Sequence, residues 1–161
     1  MELDILVTSN LQLLKVGGAI TGRSSLLARR FGNSPILSEA NKNVVVMSMY
    51  LKNGLTQPEF RSIYYHEIGH YVKRHHLNEG KLISWQDKEL EADAYSARLI
   101  GAKVLLSALE KIPVIIRECK PLRIQAKHIN SDEDYYRDLD IFLNIIKNKM
   151  QFRYLALRRM N

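Results

Sequence analysis

Several of the features that usually narrow a first reading are scarce in this chain. A single cysteine, Cys119, stands among 161 residues. No disulfide can form within the chain, which fits a reducing, cytoplasmic setting. No apolar run approaches the roughly 20 residues that a membrane-spanning helix needs. The longest candidate, Val44 to Leu51, is strand-length. The opening Met1-Glu2-Leu3-Asp4 carries acids and no basic n-region, which argues against a secretory signal. Internal repeats and low-complexity segments are absent. The formal net charge is +7, yet no block of five or six like charges appears. The basicity therefore reads as a solvated surface, and nucleic acid is not an expected partner.

What is present fits one globular domain. Hydrophobic residues make up 46% and charged residues 25%, ordinary values for a chain that buries a real core. The expected fold class is α+β: a small mixed sheet over about residues 1–53, packed on a helix, then a mostly helical half over about residues 56–161. Leu3 to Thr8, Ile36 to Ser38 and Val44 to Ser48 read as strands, and Asn10 to Val16 as a short helix stopped by Gly17-Gly18. Ser24 to Phe31 fits either class, and Gly32 to Pro35 is a turn. Thr56 and Glu59 form a capping box with Pro58 in the first turn, so a helix starts there and runs to about His75, with Asn78 to Gly80 as its stop. A second helix opens at Ser84 with Asp87 and closes at Gly101. A third runs from Ala102 to Lys111 and is interrupted by Pro113; a partly helical stretch follows, broken at Pro121. The last long helix opens at Ser131 to Asp134, and Leu139, Phe142, Ile146, Met150, Tyr154 and Leu157 form its apolar stripe.

The first long helix carries His66-Glu67-Ile68-Gly69-His70. Histidines at i and i+4 project from nearly the same side of a helix, where one zinc ion can take a nitrogen from each. Glu67 points about a quarter turn away, off the ligand direction but within reach of a metal-bound water, the place of a general base. H-E-x-x-H therefore describes a mechanism, zinc-activated water attacking a carbonyl. Zinc needs a third protein ligand, and the acid-bearing stretch from Glu89 to Ile100 can supply it. Glu89 and Asp93 are i, i+4 neighbours. Glu89 would bind the metal, and Asp93 would accept the outer N–H of a ligand histidine. Glu91 is the rival ligand, although Tyr95 and Arg98 beside it suggest that it faces water. Small residues at Ala92, Ala94 and Ala97 suit a close helix crossing. His75 and His76 read as helix C-terminal residues favoured by the dipole rather than as ligands.

His66-Glu67-Ile68-Gly69-His70 with Glu89-Leu90-Glu91-Ala92-Asp93 resembles the H-E-x-x-H…E-x-x-A-D pair of gluzincin peptidases of the HtpX and CAAX prenyl protease type. Ser96-Ala97 and Ala108-Leu109-Glu110-Lys111-Ile112 extend the likeness. The resemblance covers roughly Val44 to Ile112 and implies a minimal gluzincin-like fold, a zinc cofactor and peptide or protein substrates. It implies that a strand before the active-site helix aligns the substrate, a place held by Val44 to Ser48. It also implies that a histidine and an arginine near the last helix steady the reacting carbonyl; His128 and Arg137 sit comparably, with a longer spacing and without the usual proline. Family members are mostly membrane proteins, so their membrane-linked substrates are not carried over. Two other readings stand beside the general peptidase. One is a protease of the ImmA type, dedicated to one partner protein. The other is a non-catalytic scaffold that binds a partner or nucleic acid through Lys147, Lys149, Arg153, Arg158 and Arg159. The oligomeric state is not legible.

Overall fold

The computed structural model describes residues 2–31, 42–75, 77, 83–127 and 132–161. The expected turn at 32–35, the strand at 36–38, the helix stop at 78–80, Ser131, His76 and His128 lie outside the described residues. The elements run β1 (Asp4–Thr8), α1 (Leu11–Lys15), β2 (Ala19–Arg23), α2 (Ser24–Phe31), β3 (Asn43–Ser48), α3 (Met49–Gly54), α4 (Gln57–Val72), α5 (Trp85–Ile100), α6 (Ala102–Glu118), α7 (Lys120–Lys127) and α8 (Asp132–Arg159). The class is α+β: a small mixed sheet precedes a helical half. No helix among the described residues is long and apolar enough to cross a membrane.

The strand order is β1-β3-β2, with β3 parallel to β1 and antiparallel to β2. Val44 and Val46 pack with Leu13, Leu27 and Phe31 on one face, while Val45 and Met47 join the helical core on the other. A strand buried on both faces has no polar side to show, which explains the unbroken apolar run. The same position corrects the expectation that Val44 to Ser48 aligns a substrate. Both of its hydrogen-bonding edges are occupied, by β1 and by β2. The strand beside the first long helix is instead β2. Its sequence, Ala-Ile-Thr-Gly-Arg, gives no strong strand signal. The turn before it explains its place: Gly17 and Gly18 have φ of 103° and 85°, and a Cβ on Gly18 would fall 2.5 Å from Leu51 Cδ1.

The capping box at the start of α4 is formed. Glu59 Oε2 accepts from Thr56 N at 2.8 Å, and Thr56 Oγ1 accepts from Glu59 N at 3.5 Å. Glu59 also accepts from Ser107 Oγ at 2.6 Å and from Lys111 Nζ at 2.9 Å, tying α4 to α6. Burial would raise the Glu59 pKa, but Lys111, Ser107 and Thr56 outweigh it and hold the carboxyl down at about 2.

Pro113 does not end α6, as its ring suggested; the helix continues to Glu118. Proline removes the N–H that would bond the carbonyl four residues back. That carbonyl belongs to Leu109, and the Tyr154 hydroxyl of α8 donates to it at 3.4 Å. Pro121 falls in the first turn of α7, after a break at Cys119. Along α8, Leu139, Leu143, Met150, Tyr154 and Leu157 are buried in the core, with Phe142 and Ile146 packed against it.

Candidate metal centre

The site forms where α4 and α5 cross. Gly69 makes the close approach possible: a Cβ there would sit 2.9 Å from Ala92 Cα and 3.0 Å from the Ala92 carbonyl oxygen. Ser96 Oγ donates to the Ser62 carbonyl at 2.7 Å and fixes the crossing. Small residues at 69, 92 and 96 thus bring the carboxylates of α5 onto the histidines of α4.

His66, His70 and Glu89 each turn one ligand atom to a common point. His66 Nε2 and His70 Nε2 are 3.0 Å apart. Glu89 Oε2 is 3.5 Å from His66 Nε2, and its Oε1 is 3.3 Å from His70 Nε2. Ligands at about 2.0–2.1 Å from a tetrahedral zinc lie about 3.3 Å from one another. The 3.0 Å between the histidine nitrogens is close to that spacing, and the Glu89 carboxylate sets one oxygen near each of them.

Behind His66, Asp93 Oδ1 lies 2.8 Å from Nδ1. An ionised carboxylate only accepts, so in a neutral His66 the proton sits on Nδ1 and Nε2 keeps its lone pair. Burial and the neighbouring Arg153 would lower the His66 pKa, but its bonds to Asp93 and Glu89 outweigh them and raise it to about 9. The Asp93 carboxyl is held below its ordinary value; burial opposes this, and the Arg153 charge and hydrogen bonds carry it. Glu89 is likewise lowered against the effect of burial, chiefly by hydrogen bonds to His66 and His70.

Arg153 is the residue that the sequence did not announce. In the sequence it reads as one of the basic residues of the C-terminal surface. Instead it is buried, and its Nε and Nη2 donate to Asp93 Oδ2 and Oδ1 at 2.8 and 2.6 Å. Its Nη1 lies 3.0 Å from Glu89 Oε2. One signal could have found it: Arg153 follows Met150 by three residues and precedes Leu157 by four, so it lies in the apolar stripe of α8.

Glu67 is nearly buried, and Thr21 Oγ1 of β2 lies 3.1 Å from its Oε2 and 3.0 Å from its backbone carbonyl. His66, Glu67, His70 and Glu89 all line a cleft of about 340 Å³. Ala19, Ile20 and Thr21 of β2 form one side; Ile63, Leu109, Ile112 and Met150 supply an apolar wall, with Trp85 and Lys88 also lining it. Among the described residues no strand pairs with the outer edge of β2.

Arg137 is not brought to this cluster. Its guanidinium is exposed and bonds Asp134 and Asp138. It lies 16 residues before Arg153 on the same helix, about 24 Å at 1.5 Å per residue. Glu91, expected to face water, is only partly exposed, and its Oε2 is 2.9 Å from His75 Nε2. His75, read as a dipole-favoured helix end, is buried, and its Nδ1 is 2.8 Å from His70 Nδ1.

No protein-family model, curated protein or solved structure matches the chain.

Proposed function

We propose that the chain is a zinc metallopeptidase. The observation that carries this reading is the convergence of His66 Nε2, His70 Nε2 and Glu89 at 3.0–3.5 Å from one another. With Asp93 fixing the His66 proton on Nδ1, the His66 Nε2 lone pair faces the second imidazole, an arrangement that calls for a cation between them. A proton is one answer, and the raised pKa of His66 expresses it. A divalent cation is the fuller one. Formally, the carboxylates of Glu67, Glu89 and Asp93 against the single guanidinium of Arg153 leave two negative charges, which one such ion cancels.

His66, His70 and Glu89 would hold the zinc. When bound, the ion supplies a water of lowered pKa and polarises the scissile carbonyl. Glu67 takes the water's proton on its carboxylate and passes it to the leaving amine. The Thr21 hydroxyl, beside Oε2, holds that carboxylate toward the cleft. The outer edge of β2 aligns an extended peptide by backbone hydrogen bonds, and the wall of Ile63, Leu109, Ile112 and Met150 favours an apolar side chain next to the cleaved bond. Arg153 works chiefly through Asp93 and Glu89, to which its shortest contacts run; its Nη2 also lies 3.3 Å from His66 Nδ1. The buried free thiol of Cys119 supports a cytoplasmic setting.

The scaffold-only reading loses part of its basis, because Arg153 belongs to the interior and Arg158 is paired with Glu110. The experiment that tests the peptidase reading is Glu67→Gln in the purified chain. It should keep bound zinc and lose cleavage of an unfolded protein substrate; full activity in that variant would sink the mechanism.

A further inference from the structure

The two ligand histidines are supported from behind in different ways. Asp93 holds His66 directly. Among the described residues no carboxylate meets the His70 Nδ1; that nitrogen meets Nδ1 of His75 at 2.8 Å, and His75 Nε2 meets Glu91 Oε2 at 2.9 Å. The order of protons along this line follows from the groups themselves. Ionised Glu91 only accepts, so His75 Nε2 carries a hydrogen. A neutral imidazole has one N–H, so His75 Nδ1 is left as an acceptor. His70 Nδ1 must then donate to it, which leaves the His70 Nε2 lone pair turned to His66 and Glu89.

The backbone is bent to place His75 there. Arg74 has φ of 57°, a left-handed conformation that residues other than glycine rarely adopt. Arg74 N donates to the Tyr71 carbonyl and His75 N to the His70 carbonyl, both at 3.0 Å. This is the closing pattern of a helix that usually has glycine at the turn. It folds the chain back so that the His75 ring, buried to 9% exposure, lies edge-on to His70 with centroids 5.1 Å apart. Glu91 comes from the same turn of α5 that supplies Glu89 and Asp93. One helical turn thus furnishes a ligand, a direct support for one histidine and a relayed support for the other.

We propose that His75 and Glu91 are positioning residues of the metal centre: they lock His70 with its proton on Nδ1 and its Nε2 free to bind. The inference rests on the metal reading above. The test is calorimetric titration of zinc into the metal-free full chain and its variants. His75→Phe removes the acceptor and should weaken zinc binding about 10–100-fold. His75→Asn places Oδ1 near the lost Nδ1 and should stay within about threefold of the wild type, since the acceptor is kept. Nitrogen-15 NMR of the zinc-loaded wild type should find the His70 proton on Nδ1. A purely packing role for His75 would give the opposite order, with the apolar ring tolerated better than the small amide. Equal affinity in His75→Phe and wild type, equal loss in both variants, or a proton on His75 Nδ1 would each overturn the proposal. If His75→Phe fails to fold, Glu91→Gln, at a partly exposed position, serves instead: its amide NH₂ can displace the acceptor, and unchanged affinity with a His75 Nδ1 proton in the spectrum would overturn the relay. If the wild type takes up no zinc, the metal reading fails and this one with it; if the wild type binds and His75→Phe binds as tightly, only the relay fails.

Discussion

His66 and His70 lie one turn apart on the same helix and would serve the same ion, yet they sit in unlike surroundings. His66 is buried against a carboxylate that is itself pinned by a guanidinium, with Asp93 and Arg153 both inside the protein. His70 is partly exposed and is held through a second imidazole by Glu91, whose side chain is 44% exposed. The first arrangement is a buried ion network, in which removing any member strands a charge. The second ends in water, which can replace a lost partner. The His66 side should therefore bear on folding and metal binding together, while the His70 side should bear on metal binding alone.

The largest effect is expected at Asp93. Asp93→Asn removes the charge that takes two donors of a buried guanidinium, and the loss of a buried partner costs about 3–5 kcal/mol. Urea denaturation of the metal-free chain would show it, and a cost under about 1 kcal/mol, typical of a surface pair, would erase the distinction between the two sides. Next is Gly69→Ala. The added methyl meets the Ala92 backbone, which cannot give as a flexible side chain can, so α4 and α5 must separate at about 1–3 kcal/mol. Zinc affinity should fall with it, because Glu89 moves away from both histidines at once; stability lost with affinity unchanged would mean that the helices part elsewhere.

A smaller effect concerns protons. The folded pKa of His66, about 9, lies above its ordinary value. The stabilisation linked to that proton is complete below pH of about 6.5 and is lost as pH rises through about 9. Thermal melts of the metal-free chain should accordingly fall across that window. Zinc must displace the same proton, so its affinity should rise with pH over the window and its binding should release a proton, read by calorimetry in buffers of different ionisation enthalpy. Melting that rises from pH 6.5 to 9 would contradict the assignment. The smallest effect belongs to Glu91→Gln, which should alter the stability of the metal-free chain by under about 0.5 kcal/mol, as exposed sites do.

The same contrast separates what the sequence made legible from what it did not. The α+β class, the capping box at Thr56 and Glu59, the close crossing at Ala92, and the approach of Glu89 and Asp93 to His66 and His70 follow from local spacing and helical periodicity. Those signals lie within one or two neighbouring helices. Arg153 reaches the site across 60 residues from Asp93, and basic neighbours disguised it as surface. His75 lies past the helix end, where periodicity gives no direction and only the Arg74 turn decides where the ring goes. β2 has a glycine and little apolar alternation, so its pairing with β3 became visible only in the sheet. The resemblance assigns the substrate-aligning place to the apolar run of β3, whereas burial on both faces marks a central strand. Pro113 signalled a break because the sequence could not show the Tyr154 hydroxyl waiting for the orphaned carbonyl.

The most direct measurement is the metal content of the purified full chain, by elemental analysis before and after zinc supplementation and dialysis, with His66→Ala beside it. One zinc per chain is expected in the wild type and none retained in the variant. A wild-type chain that holds no zinc after supplementation would contradict the metal centre and the peptidase mechanism built on it.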